Sequence, residues 1–271
     1  MKDRIAEHQD AAAHKSVIEK LWSAPLIGAF IDRFPVVDGS TVLAAEARCG
    51  LVPMRWSSIL SEDTRVIALD PSRPMLDVAR QRIDEQSQRR IFFVPQRIDS
   101  LSYADGVFKA AVCLNGVHVM SEMHQGLQEL GRVVEPGGRL VMITPGEQSF
   151  KEIRDMLDEA LRSLRLDDAA ERLAATDASF ITAAGLYKRA MELGLHDISI
   201  DQCGWTVSFE SGREALMSPL VRQMFLPHWL EVIRSSDREL ALRYVVDAID
   251  TYYHERTFTC TLTACCLTCA R

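Results

Sequence analysis

Residues 44–53 read AAEARCGLVP, and a second stretch, RVIALDPSRP, sets Asp70 at the end of an apolar run, 24 residues after Glu46 and 20 after Gly50. An apolar strand leading through a glycine into a helix is the form of a nucleotide-binding turn. An acid closing the next strand is placed to accept hydrogen bonds from ribose hydroxyls. The plainer alternative, a cap on the helix that begins after PSRP, is less favoured by the position of Asp70 and its partner strand. Asn115, near the end of a later apolar run, would join the same row of strand tips. His118 in NGVHVM and His124 could each serve as a general base, or could simply sit in a loop or cap a helix. Cys266 and Cys269 have C-x-x-C spacing, but their segment alternates Thr with apolar residues as strands do. Three residues along a strand put side chains on opposite faces. No second Cys or His pair has zinc-finger spacing, so no metal is expected. No serine stands in a G-x-S-x-G setting, which removes an acyl-transfer elbow.

The chain of 271 residues, 47% hydrophobic and 25% charged, has room for one large α/β domain or a core with a helical appendage. A net charge of −7 argues against a nucleic-acid surface, which needs a basic face to neutralise phosphates. The opening MKDRIAEHQDAAAHK is charged throughout, and no apolar run approaches membrane-spanning length. Neither a secretory signal nor a membrane partner is expected. Seven cysteines, an odd number, suit a reducing cytoplasm better than a disulfide framework.

An alternation of strands and helices would position Glu46, Asp70 and Asn115. Two helices are expected over residues 5–33, then a turn at Pro35 and DGS. TVLAAEA, RVIALD, IFFVPQ, FKAAVCLNGV and RLVMITP read as strands, and VPMRWSSIL as a short helix. SRPMLDVARQRIDEQ reads as a helix capped by Ser72, with Met75, Leu76, Ala79 and Ile83 on one face. HQGLQELGRVV is a helix stopped by EPGG. Apolar strands separated by helices predict an α/β fold, a doubly wound and mostly parallel sheet covered on both faces. Beyond residue 150 come KEIRDMLDEALRSL, then AAGLYKRAMELG, capped by Thr182 and closed by Gly194. HDISIDQCGWTVSF reads as a strand interrupted near Gly204, and TFTCTLTACCLTCA as the last strand.

In order and spacing, VIALDPSRPMLDVAR, SLSYADGVFKAAVCLNGVHVM and LQELGRVVEPGGRLVMITP resemble successive blocks of the class I S-adenosylmethionine-dependent methyltransferases. The nearest likeness is to the small-molecule group often called type 11. It is dense from about residue 40 to 146 and looser toward the carboxyl end. The resemblance implies a Rossmann-like sheet of seven strands, the last two an antiparallel hairpin, with S-adenosylmethionine across the strand tips. On the first turn it implies cofactor contacts at Glu46, Ala47, Arg48 and Gly50, and after the second strand at Asp70, Pro71 and Met75. Arg97, Ile98, Asp99 and Asn115 follow after the third and fourth strands.

The family's first block is an acid followed by three alternating glycines. The favoured alignment sets Glu46 at the acid and Arg48, Gly50 and Val52 at the glycines. A second alignment, anchored on Val42 and Leu43, sets Ala44 at the acid and Glu46 and Arg48 at two glycines. Glycines there let a ligand's amino-acid end approach the backbone. The charge of Arg48 would repel a sulfonium or ammonium at short range. Turned outward, it could contact a ligand carboxylate or pair with Glu46. Where the family often has an Asp for the adenine amino group stands Arg97, which offers only donors, and Asp99 lies two residues on. Lys109, where the fourth strand usually begins with Asp, reads as an exposed strand end.

The expected organisation is amino-terminal helices over 1–38, a core over 39–209, a helical insertion over 210–256 and a terminal strand over 257–271. The insertion is rich in Met217, Met224, Phe225, Trp229, Tyr244, Tyr252 and Tyr253, which at helical spacing suit a core or a homodimer interface before a pocket. The resemblance implies methyl transfer to a small hydrophobic or aromatic acceptor, admitted by a lid of the insertion and the amino-terminal helices. Proximity would supply much of the rate, with His118 as base. The alternative is a pseudo-methyltransferase, a binding or assembly module that has lost normal cofactor binding and meets a protein partner. A third reading is a more anionic, nucleotide-like ligand drawn by Arg48 and Arg97.

Overall fold

The computed structural model describes residues 10–83, 89–114, 120–176 and 182–271, so Asn115 and His118 lie outside the described residues. Its strands are β1 (Thr41–Ala45), β2 (Arg65–Asp70), β3 (Ile91–Pro95), β4 (Phe108–Leu114), β5 (Val134–Pro145), β6 (His196–Phe209) and β7 (Phe258–Ala270). They form a seven-stranded sheet in the order β3-β2-β1-β4-β5-β7-β6. β1 pairs in parallel with β2 and β4, β2 with β3, and β4 with β5, whereas β7 runs antiparallel to β5. Val42 to Ala45 and Ala110 to Leu114 are fully buried. Central parallel strands covered on both faces have no polar side, which is why these segments read as continuous apolar runs.

The helices are α1 (Ala24–Phe30), α2 (Leu51–Ser57), α3 (Arg73–Arg82), α4 (Met120–Val133), α5 (Lys151–Ser163), α6 (Asp167–Thr176) and α7 (Ala183–Glu192). Beyond β6 come α8 (Gly212–Met217), α9 (Pro219–Met224), α10 (Leu226–Glu231) and α11 (Ser235–Tyr252). Ser72 caps α3 through the Met75 amide, and Thr182 caps α7 through the Gly185 amide. Met75, Leu76, Ala79 and Ile83 are all buried, the face that the 3.6-residue period marks.

The described chain divides into two compact units. One takes residues 10–145, 182–203 and 264–271, and the other 146–176 and 204–263. In the second, Phe225 and Trp229 are buried, and Phe225 meets Phe150 edge-on at 5.0 Å. These aromatics of the 210–256 segment are core residues of their own unit. Met217 and Tyr252 are exposed.

Four sequence expectations change. Residues 10–33 are helical and the expected second helix begins at Ala24 as α1, but the stretch before it, His14–Ser23, is a π-helix. The wider π turn puts residues five apart on one face, and His14, Glu19, Ile18, Trp22 and Ser23 are its buried side chains. EPGG does not end α4; it lies inside β5, where the pairing with β4 shifts between Phe108 and Ala110. Gly138 allows that irregular start, because a Cβ there would lie 2.7 Å from the Lys109 carbonyl oxygen. β6 runs unbroken through Gly204, whose missing side chain admits the Leu262 carbonyl oxygen. Helix α6 was not expected; its first-turn acids Asp167 and Asp168 are the signal that marks it.

Candidate active site

β1 ends at Ala45, and the chain turns through residues 46–50 into α2. Three alternate residues of this turn have left-handed backbones: Glu46 at φ 53°, Arg48 at φ 48° and Gly50 at φ 88°. Only glycine takes that region freely, and a side chain there costs about 1–2 kcal/mol. Glu46 and Arg48 are the two glycine positions of the second alignment, so these backbones favour that alignment over the first. Glu46 stands at a glycine position rather than at the strand-end acid, and Val52 lies within α2. Gly50 is also held by packing, since a Cβ there would lie 2.9 Å from the Ala79 Cβ on α3. The turn is stitched to β2 by the Ala47 amide donating to the Leu69 carbonyl at 2.7 Å.

Asp70 ends β2 and is fully buried. Its Oδ2 accepts the Arg48 amide at 3.0 Å and its Oδ1 the Ser72 amide at 2.9 Å. It thus fastens both turns, as a helix-region cap does. The Arg48 guanidinium then folds back over the same acids, with Nη2 3.1 Å from Glu46 Oε2 and Nε 3.8 Å from Asp70 Oδ2. Of the options open to Arg48, pairing with Glu46 is the one adopted. Burial pushes the Glu46 carboxyl upward, against the pull of Arg48. Burial also opposes the charge of Arg48, but Glu46 and Asp70 outweigh it and raise its pKa.

Arg97 forms a second pair of this kind, donating from Nε and Nη2 to Asp99 at 2.6–3.2 Å. That bond holds the Asp99 carboxyl below the usual range. Both arginines that depart from the family pattern are therefore matched to a carboxylate two residues away. Pro71 is exposed, Met75 is buried, and Ile98 belongs to the apolar core with Leu101 and Leu127. His124 is half-buried, and its Nδ1 has no hydrogen-bond partner among the described residues.

The π-helix seats against the same turn. The Cys49 thiol donates to the Ala11 carbonyl at 3.4 Å and touches Met75 Sδ at 3.5 Å. Arg82 Nη1, at the end of α3, bonds Glu19 Oε1 at 2.5 Å and the Cys49 carbonyl at 3.0 Å. His14 is buried and its Nδ1 has no hydrogen-bond partner among the described residues. Burial, then the charges of Arg48 and Arg82, push its pKa down to about 3. Ligand-type atoms of His14, Glu19 and Cys49 lie within 4.8 Å of one another. Burial pushes the Cys49 thiol up to about 12, and Arg82 already supplies the positive charge that Glu19 faces. Sequence reasoning missed this cluster. The five-residue spacing of His14 and Glu19 is meaningless in an α-helix and marks one face only in a π-helix.

Residues 49–142 match the family profile described as "Methyltransferase domain". Over that stretch the chain is similar to the class I S-adenosylmethionine-dependent methyltransferases, and its seven-stranded sheet agrees with the likeness. S-adenosylmethionine is the cofactor of that family. Among curated relatives, a ubiquinone/menaquinone biosynthesis C-methyltransferase of Hahella chejuensis is 28% identical over 127 residues, 46% of this chain and 49% of that protein. The chain thus spans about half the length of the curated relatives it matches. The YcgJ protein of Bacillus subtilis has a TM-score of 0.59 at 13% identity, covering 90% of this chain and 97% of that one. A Haemonchus contortus phosphoethanolamine N-methyltransferase, solved with S-adenosyl-L-methionine, has a TM-score of 0.54 at 14% identity, covering 92% and 52%. At such identities these two structures show the fold of the chain and no more. No described helix is long and apolar enough to cross a membrane.

Proposed function

We propose that the protein is an S-adenosylmethionine-dependent methyltransferase acting on a small hydrophobic or aromatic acceptor. The observation that carries the reading is the convergence of two carboxylates, Glu46 and Asp70, on one cation at the carboxyl ends of β1 and β2. That donor set fits the cofactor: the place now taken by a guanidinium suits an ammonium equally well. Asp70 uses two of the roughly four lone-pair sites of a carboxylate on backbone amides, leaving capacity for ribose hydroxyls. When bound, the cofactor supplies an electrophilic methyl group on a sulfonium. Glu46 and Asp70 would bind and orient it, and Met75 would give an apolar wall. The acceptor's own nucleophile, held in line, does the rest by proximity. An apolar acceptor is supported by the match to enzymes named for ubiquinone and menaquinone biosynthesis.

A second reading is a binding or assembly module without turnover. The filled place of Arg48 between the two acids favours it. Calorimetric titration with S-adenosylmethionine and with S-adenosylhomocysteine separates the two. Micromolar binding that Asp70→Ala weakens at least tenfold is expected of the enzyme. Heat from neither ligand, in protein shown to be folded, leaves the module.

A further inference from the structure

We infer that Arg82 is a positioning residue for the turn at residues 46–50, and that the amino-terminal π-helix acts on this turn through it. The inference rests on the reading that the turn borders the cofactor site.

The turn is held from outside. Glu46 and Arg48 carry side chains in the left-handed region, and such backbones persist only where their surroundings over-determine them. Two supports come from β2: the Leu69 carbonyl accepts the Ala47 amide, and Asp70 accepts the Arg48 amide. Both act on the first half of the turn. The second half, Cys49 and Gly50, is bedded on α3 by Met75, Ala79 and Arg82. Their spacing, i, i+4 and i+7, puts all three on one helix face. Met75 Sδ touches the Cys49 thiol at 3.5 Å, and the Ala79 Cβ lies 2.9 Å from where a Cβ on Gly50 would stand. Arg82 Nη1 donates to the Cys49 carbonyl at 3.0 Å.

The Arg82 contact differs from the other two because it fixes an orientation. The Cys49 carbonyl and the Gly50 amide belong to one planar peptide unit. Arg82 holds the oxygen of that unit, and the Ala47 carbonyl holds its N–H at 2.8 Å. Turning the unit over would break both bonds and change φ at Gly50, the one residue of the turn free to take either sign. Release of Arg82 leaves one hydrogen bond against that rotation. Arg82 is set in turn by the π-helix. A guanidinium Nη carries two N–H groups, and Nη1 spends one on Cys49 and the other on Glu19 Oε1 at 2.5 Å. The bond to the carboxylate is the stronger of the two and orients the guanidinium. Glu19 faces Arg82 because the π turn puts it on the buried side with His14. The path runs from Glu19 through Arg82 to the peptide between Cys49 and Gly50.

The test is calorimetric titration of S-adenosylhomocysteine into the wild-type protein and four variants, each first shown to be folded by thermal melting. They are Arg82→Met, Glu19→Ala, the double variant Glu19→Gln with Arg82→Met, and Gly137→Ala as a control for stability alone. Arg82→Met is expected to bind about tenfold more weakly than wild type, and Glu19→Ala about threefold. The double variant separates positioning from stability. With both charges gone it regains stability over Arg82→Met, but it still lacks the bond to Cys49, so its affinity stays about tenfold below wild type. Gly137→Ala melts earlier and keeps the wild-type affinity. Amide exchange at Gly50 in the unliganded protein is expected to rise about tenfold in the double variant and not in Gly137→Ala. If affinity returns with stability in the double variant, Arg82 is merely structural and the inference falls. Wild-type affinity in Glu19→Ala would remove the π-helix from the path. If the wild-type protein does not bind the ligand while Gly50 exchange still rises, the cofactor reading is overturned and the hold of Arg82 on the turn stands.

Discussion

Arg82 Nη1 lies 2.5 Å from Glu19 Oε1 and so ties the end of α3 to the π-helix beside the candidate cofactor turn. The pair is poorly solvated, with side chains 19% and 8% exposed, and burial pushes the Glu19 carboxyl upward against the pull of Arg82. Breaking a buried pair from one side leaves the other charge uncompensated. Arg82→Met is therefore expected to lower stability by about 3 kcal/mol in urea unfolding, and Glu19→Gln with Arg82→Met together by less. Equal loss in the single and double variants would show that the two side chains do not act as a pair.

His14 makes stability depend on pH in a stated direction. Burial, then the charges of Arg48 and Arg82, hold its folded pKa at about 3, against an ordinary value of about 6.5. Between those two values the unfolded chain holds a proton that the folded chain does not. Stability from this group is thus complete above about pH 6.5 and is lost as the pH falls toward 3, by about 1 kcal/mol per pH unit. His14→Leu should flatten that part of the profile, which urea midpoints between pH 4.5 and 7 would read. A profile unchanged by the substitution would remove His14 as the source.

Gly50 is constrained twice, by φ 88° and by the Ala79 Cβ that a side chain would meet at 2.9 Å. Gly50→Ala combines a left-handed alanine with overpacking against α3, so a loss of about 3 kcal/mol is expected. Gly137, at φ 79° with open space around it, is the control: Gly137→Ala carries the backbone cost alone, about 1–2 kcal/mol. Equal losses would mean that the Ala79 contact yields freely.

The His14, Glu19 and Cys49 cluster has ligand atoms close enough to hold a metal, but Arg82 and Arg48 lie beside it as fixed cations. A divalent ion would have to displace Arg82 from Glu19 and deprotonate a thiol that burial holds near 12. Chelator is expected to leave the melting temperature unchanged, and added zinc not to raise it. A zinc-dependent rise lost in Cys49→Ser would show that the guanidinium gives way.

Much of the fold was legible in the residues because its signals are local. The apolar runs TVLAA and RVIALD, the cap at Ser72 and the face of Met75, Leu76, Ala79 and Ile83 each depend on a few neighbouring side chains. The candidate site was placed by the same pattern, on the expectation that strand tips in a doubly wound sheet converge. The π-helix was not legible, because its turn differs from an α-turn by one residue and the difference shows only in what is packed against it. Nor was the strand start inside EPGG, which depends on the Lys109 carbonyl of the neighbouring strand.

The amino-acid sequence by itself determined the order of strands and helices, the acid at the end of β2 and the scarcity of glycine in the first turn. Only the tertiary structure decided what that scarcity means. The alignment of the turn rests on which backbones are left-handed, and the state of Arg48 rests on two acids brought to it by different strands. Periodicity and composition carry local preference. Charge pairing between Arg48 and Asp70, or between Arg82 and Glu19, arises only when the folded chain removes water from between residues far apart along it.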